Sequence, residues 1–209
     1  MTRDPLRLLV LGDSIAYGTG ARLLEDTIGN RLVRSLEREG YSASLDVLAV
    51  PGATTRELAA QVRRAASLGA DLALIVVGAN DLTRLIPPAQ SAAALGTAVA
   101  ALQAADVRVV VVPAPDLSDL PFVPPVARPW VHQACVQLQR RQAAAAESAG
   151  ALVAPISADL ARAFAADATL FSPDRYHPSS AGYASIAEAI DPYILAAARS
   201  CAEALQPEH

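Results

Sequence analysis

Leu8-Leu9-Val10-Leu11-Gly12-Asp13-Ser14-Ile15 decides the fold class. Its four consecutive apolar residues are too few for a typical helix and suit a strand buried on both faces of a parallel sheet. Gly12, Asp13 and Ser14 are turn-friendly, so Ser14 is expected on the loop just past the strand's carboxyl end. Ligands of open α/β sheets bind along that edge. A serine there stands where a nucleophile would, although turn serines are commoner than catalytic ones and the tripeptide alone carries little weight.

Outward from this stretch the pattern repeats. Leu45–Val50, Leu72–Val77 and Val107–Val112 read as further strands, and Ala151–Ala154 as a short fifth one. Helical spacing separates them. Ile28, Leu32 and Leu36 form one apolar stripe, stopped by Gly40. Thr54-Thr55-Arg56-Glu57 matches a capping box ahead of a helix whose stripe is Leu58, Val62 and Ala65. Ala92, Leu95, Val99 and Leu102 mark a helix over 89–105, and another is expected over 130–149, ended by Gly150. Shorter helical patterns cover 159–166 and the segment from Ser179 or Ser180, where Pro192 should kink or interrupt the helix. Pro113–Pro129 holds six prolines, which exclude regular helix and central strand and predict a rigid surface loop. Five strands alternating with helices make a three-layer α/β/α sandwich on a parallel sheet. The pattern alone leaves the strand order open.

With 209 residues, 53% hydrophobic and 18% charged, the chain is expected to form one globular domain with a frayed C-terminal tail. A net charge of -4 argues against nucleic acid or an anionic membrane as the main partner. No run reaches transmembrane length, and Leu6–Leu11 is too short for a signal core, so a cytoplasmic location is expected if Met1 is the native start. Cys135 and Cys201 lack metal-ligand spacing and read as reduced or packing thiols.

Four polar clusters fall on strand exits or late loops: Gly12-Asp13-Ser14, Gly52, Gly78-Ala79-Asn80-Asp81, and Asp174-Arg175-Tyr176-His177. Cleavage of an ester by a serine needs a base, a group orienting that base, and donors for the oxyanion. His177 is the candidate base and Asp174 its orienter, three residues back in the same loop. The backbone N–H groups of Ser14 and Gly52 and the side-chain amide of Asn80 are candidate oxyanion donors. Bland readings stand beside these: Gly52 as a turn before a capped helix, Asn80-Asp81 as an Asx turn, His177 as a loop histidine. His132 falls in a predicted helix and His209 at the terminus, neither with a carboxylate nearby in sequence. Phe122 and Trp130 are candidate walls of an acyl pocket, or simply residues packing the proline-rich loop.

Taken together, Leu11-Gly12-Asp13-Ser14, Gly52, Gly78-Ala79-Asn80-Asp81 and Asp174-Arg175-Tyr176-His177-Pro178 resemble, in order and separation, the sequence blocks of the SGNH hydrolase (GDSL-type esterase/lipase) superfamily. The resemblance covers about residues 6–190. It departs from the GDSL name only at Ile15. It implies a flavodoxin-like sheet ordered 2-1-3-4-5, Ser14 as nucleophile, His177 as base, Asp174 as orienter, and Gly52 and Asn80 completing the oxyanion hole with Ser14. It implies no metal or organic cofactor. The expected activity is hydrolysis of small or medium acyl esters through an acyl-enzyme on Ser14. Acyl transfer to an alcohol by the same intermediate is the alternative, and a non-catalytic binding module a third reading.

Overall fold

The computed structural model describes residues 5–204. Five strands form one parallel sheet: β1 (Leu6–Gly12), β2 (Ala43–Val47), β3 (Leu72–Val76), β4 (Arg108–Val112) and β5 (Leu152–Val153), in the order β2-β1-β3-β4-β5. The implied order is the observed one. Strand alternation sorts the core into two halves. Leu8, Val10, Leu72, Leu74, Val76, Val110 and Val112 pack against α2 (Ile28–Arg38) and α8 (Ser180–Ala204). Leu9, Leu11, Ala73, Ile75, Val77, Val109 and Val111 pack against α3 (Leu58–Ala65), α5 (Pro88–Gln103) and the C-terminal part of α6 (Arg128–Ser148). Leu8, Leu9, Val10 and Leu11 are fully buried, and each such leucine contributes about 1.5–3 kcal/mol of burial. This accounts for the unbroken apolar run: both faces of the central strand are covered.

The direction in which strands are added across the sheet reverses between β1 and β3, because the path leads from β1 outward to β2 and then back across to β3. The carboxyl ends of these two adjacent strands open a crevice at the switch point. Two one-turn helices start there, α1 (Ser14–Tyr17) after β1 and α4 (Ala79–Thr83) after β3.

Apart from shifts of one or two residues at element ends, the boundaries differ from the sequence expectation in four places. β2 ends at Val47 rather than Val50, because the Leu48 and Ala49 N–H groups both donate to the Val10 carbonyl and break the ladder's register. Pro129 lies in the first turn of α6 rather than in the irregular loop, and its missing N–H costs nothing there. Helix α8 runs through Pro192 without interruption, and its residues Ile194, Ala197 and Ala198 are buried, so the core extends beyond 190. β5 is only two residues long. α7 (Ala158–Ala166) lies where a helix was expected. The expected fraying of the tail concerns residues 205–209, outside those described. Among the described residues no helix is long and apolar enough to cross a membrane.

Candidate active site

The turn after β1 has little freedom. Gly12 adopts φ +132°, and a Cβ there would meet the Val76 carbonyl oxygen at 1.8 Å, so only glycine lets β1 and β3 approach this closely. Gln61 of α3, itself buried, clamps the same residue from below. Its Oε1 accepts from the Gly12 N–H at 2.7 Å and its Nε2 donates to the Gly12 carbonyl at 2.8 Å. Asp13 caps α1, accepting from the Ile15 N–H at 3.0 Å. Ser14 follows as the first residue of the helix.

Ser14 Oγ lies 2.9 Å from His177 Nε2, across 163 residues of chain. His177 Nδ1 lies 2.6 Å from Asp174 Oδ2. The loop carrying this pair is closed by backbone bonds from Ser172 N–H to the His177 carbonyl (2.8 Å) and from Arg175 N–H to the Ser172 carbonyl (2.9 Å). Asp174 Oδ1 accepts from Ser172 Oγ at 2.7 Å and from the Tyr176 and His177 N–H groups at 2.9 Å each. Burial works to raise the Asp174 carboxyl, but the hydrogen bonds from His177, Ser172 and Tyr176 outweigh it and hold the group well below the usual carboxylate range. An ionised carboxylate only accepts, so Nδ1 carries the imidazole proton and Nε2 presents its lone pair to the Ser14 hydroxyl.

The loops after β2 and β3 are bonded to each other. Asn80 Nδ2 donates to the Ala53 carbonyl at 3.0 Å, and Arg84 Nη2 donates to the Gly52 carbonyl at 2.8 Å. Asp81, buried next to Asn80, accepts from the Thr55 N–H at 2.9 Å and from Ser91 Oγ. These bonds tie the loop after β3 to the loop after β2. Gly52 has φ +82°, which favours glycine, and a Cβ there would touch Arg84 Nη2 at an ordinary 3.8 Å. Neither the Ser14 nor the Gly52 N–H donates to any group among the described residues, and the Asn80 amide keeps a second N–H without an acceptor there. The structure thus brings Ser14, His177 and Asp174 into one hydrogen-bonded row and leaves a spare donor on each of Ser14, Gly52 and Asn80.

Beside the site lies a cavity of about 660 Å³, lined by Ile15, Ala79, Val136, Phe164, Phe171 and Tyr176 among others. Phe122 and Trp130, the candidate walls of an acyl pocket, are not among the residues that line this cavity. Phe122 is 60% exposed and rests on the outer side of Tyr176, with ring centroids 5.9 Å apart, and Trp130 is 79% exposed. The proline-rich loop supplies Leu117 and Leu120 among others to the cavity, and α6 and α7 supply further parts of its wall, Val136 and Phe164 among them.

Sequence reasoning missed several polar residues here. Asp13 is 1% exposed, and burial pushes its carboxyl up to about 6 against the bonds from the Ile15 and Gly78 N–H groups. Gln61 occupies a stripe position of α3, three residues after Leu58 and four before Ala65, a spacing that marks it as buried. Gln142 of α6 links the exits of β3 and β4, donating to the Val77 carbonyl at 3.1 Å and accepting from the Ala114 N–H at 2.8 Å. His132 has a carboxylate partner after all: its Nδ1 lies 2.5 Å from Asp116 Oδ2, and both line the cavity. Cys135 and Cys201 are free thiols, and burial pushes Cys135 up to about 11. Among the described residues no group of three or more His, Cys, Asp or Glu side chains is arranged to hold a metal ion.

A profile of the GDSL-like lipase/acylhydrolase family matches residues 10–185. The chain is 37% identical over 187 residues to the GDSL-like esterase Rv1075c of Mycobacterium tuberculosis, which covers 88% of this chain. It spans 60% of that relative's length. The crystal structure of TesA superposes with a TM-score of 0.74 at 22% identity, covering 91% of this chain and 99% of TesA. A catalytic mutant of Axe2, an acetylxylan esterase from Geobacillus stearothermophilus, superposes with a TM-score of 0.75 at 19% identity, covering 93% of this chain and 96% of Axe2. These two likenesses establish the shared fold.

Proposed function

The chain belongs to the GDSL-like lipase/acylhydrolase family, and we propose on that premise that it is a serine esterase that cleaves small or medium acyl esters through an acyl-enzyme on Ser14. The observation that carries this reading is the continuous row Ser14 Oγ, His177 Nε2, His177 Nδ1, Asp174 Oδ2, with spacings of 2.9 and 2.6 Å. Nε2 takes the hydroxyl proton as Ser14 Oγ bonds to the ester carbonyl carbon. Asp174 holds the imidazole in the required tautomer and offsets the positive charge it gains. The carbonyl oxygen becomes an oxyanion, and the N–H groups of Ser14, Gly52 and Asn80 serve it as donors. Collapse expels the alcohol, which leaves with the proton from Nε2. Water then attacks the acyl-enzyme, giving its proton to His177, and the carboxylic acid departs as Ser14 is restored. The apolar cavity beside Ile15 and Ala79 takes the acyl chain.

Ser14→Ala tests the reading. The variant should fold as wild type does and lose on the order of 10³-fold or more in kcat against 4-nitrophenyl butyrate. A folded variant with near-wild-type turnover refutes Ser14 as nucleophile.

A further inference from the structure

We infer that Arg175 is a specificity-determining residue that pairs with an anionic group carried by the ester substrate. This rests on the Ser14 acyl-enzyme reading and adds a substrate class to it. Arg175 sits between Asp174 and Tyr176, in the turn that carries the base, and lines the cavity that also touches Ile15 and Ala79. Its backbone is left-handed, with φ +56°, a conformation that glycine or asparagine adopts more readily. The turn therefore gains nothing locally from an arginine.

The charge of Arg175 is also unanswered. Two carboxylates line the same cavity, but Asp116 is bonded to His132 and Asp119 faces Arg128 at 3.6 Å. Asp174, the adjacent carboxylate, is occupied by His177, Ser172 and the Tyr176 N–H. Among the described residues the Arg175 guanidinium makes no ion pair and no side-chain hydrogen bond. Arg175 is exposed and lines the cavity, so its cation stands where the cavity meets solvent. A planar fork of donors in that place matches a carboxylate or sulfonate bidentately. The apolar wall behind it, with Phe164, Phe171 and Ile15, screens the pair less than open water does.

The anion can belong to the acyl half or to the alcohol half of the ester, and paired probes separate the two. 4-Nitrophenyl hemisuccinate against 4-nitrophenyl butyrate places the charge on the acyl side. 4-Acetoxybenzenesulfonate against phenyl acetate places it on the alcohol side. In one of the two pairs, wild-type kcat/KM should favour the anionic member, and that preference should shrink as NaCl rises from roughly 0.02 to 0.5 M. Arg175→Asn, a residue the left-handed backbone accepts, should lower the anionic-to-neutral ratio by about tenfold or more, chiefly through KM, and Arg175→Lys should retain part of it. A wild-type enzyme without preference in either pair overturns the inference, as does an unchanged ratio in Arg175→Asn. Should Arg175→Asn fail to fold, a salt-independent wild-type ratio, or one that Arg175→Lys leaves whole, overturns it equally. Ser14→Ala is run alongside on the neutral esters. Hydrolysis that survives it sinks the acyl-enzyme reading and the inference with it, whereas Ser14-dependent hydrolysis without anion preference sinks the inference alone.

Discussion

Replacing Asp13 with asparagine should remove a pH dependence of stability that the wild-type fold carries beside Ser14. Asp13 is almost completely buried, and that burial raises its carboxyl from an ordinary 3.8 to about 6, with Asp81 nearby adding to the rise. Hydrogen bonds from the Ile15 and Gly78 N–H groups and the nearby imidazole of His177 pull the other way without cancelling it. A carboxyl raised in the folded state binds its proton more tightly there than in the unfolded chain. Its favourable contribution is therefore complete below the unfolded value and is lost as pH rises through the folded value. A shift of about 2 pK units corresponds to about 3 kcal/mol in all, of which about 2 kcal/mol is lost between pH 4.5 and 7.5.

An asparagine has the same shape and keeps an acceptor for Ile15 N–H, but it has no proton to lose. Its amide nitrogen would face the Gly78 N–H, a fixed cost that does not vary with pH. The quantity to measure is thus the difference in unfolding free energy between wild type and Asp13→Asn, from urea titrations at several pH values. It should move by about 2 kcal/mol in favour of the variant between pH 4.5 and 7.5. Asp174, Asp116, Glu57 and Asp167 are all held below their ordinary values, so their linked stability changes lie mostly on the acid side of this window and cancel between the two proteins. A difference constant to within about 0.5 kcal/mol refutes the raised carboxyl.

Asn80→Ala should lower kcat by roughly 10²-fold with little change in KM, since its spare N–H serves a charge that develops only during attack. A loss confined to KM would make Asn80 a substrate-binding residue. Asp174→Asn should lower the plateau of the kcat/KM profile by roughly 10³-fold or more, because an amide can hold the wrong imidazole tautomer. With its carboxyl held below the usual range, Asp174 stays ionised across the assay and should add no limb of its own to the wild-type profile. A variant that keeps the wild-type plateau refutes Asp174 as orienter.

The parts of this site that could be read from the sequence share one property: their partners lie close in the chain or follow from strand periodicity. Asp174 and His177 are three residues apart in one loop, so their pairing needs no knowledge of the fold. Ser14 and Asn80 each follow an apolar run, and parallel strands carry all such exits to the same edge. The residues that escaped lie across elements. Gln61 and Gln142 are polar interruptions in apolar stripes, and each is buried because it serves backbone groups of a different element. A stripe pattern registers them as defects rather than clamps. Asp116 lies within the proline-rich loop, whose path no periodicity describes, and His132 lies beyond it in α6.

Phe122 and Trp130 mark an irregular segment, and only the folded path decides which of its side chains turn toward the cavity. Leu117 and Leu120 do so, while the two aromatics face out. Asp13 is the sharpest case. In the sequence it is the middle of a turn tripeptide, where an aspartate is ordinarily solvated. In the fold its turn is pressed against β3 by the close approach at Gly12, so the carboxyl is sealed in beside Ser14 and near His177. The glycine that lets two strands converge thus also sets the electrostatics next to Ser14. A larger residue at position 12 would have to push β1 from β3 and admit water to Asp13, changing packing and charge at one stroke.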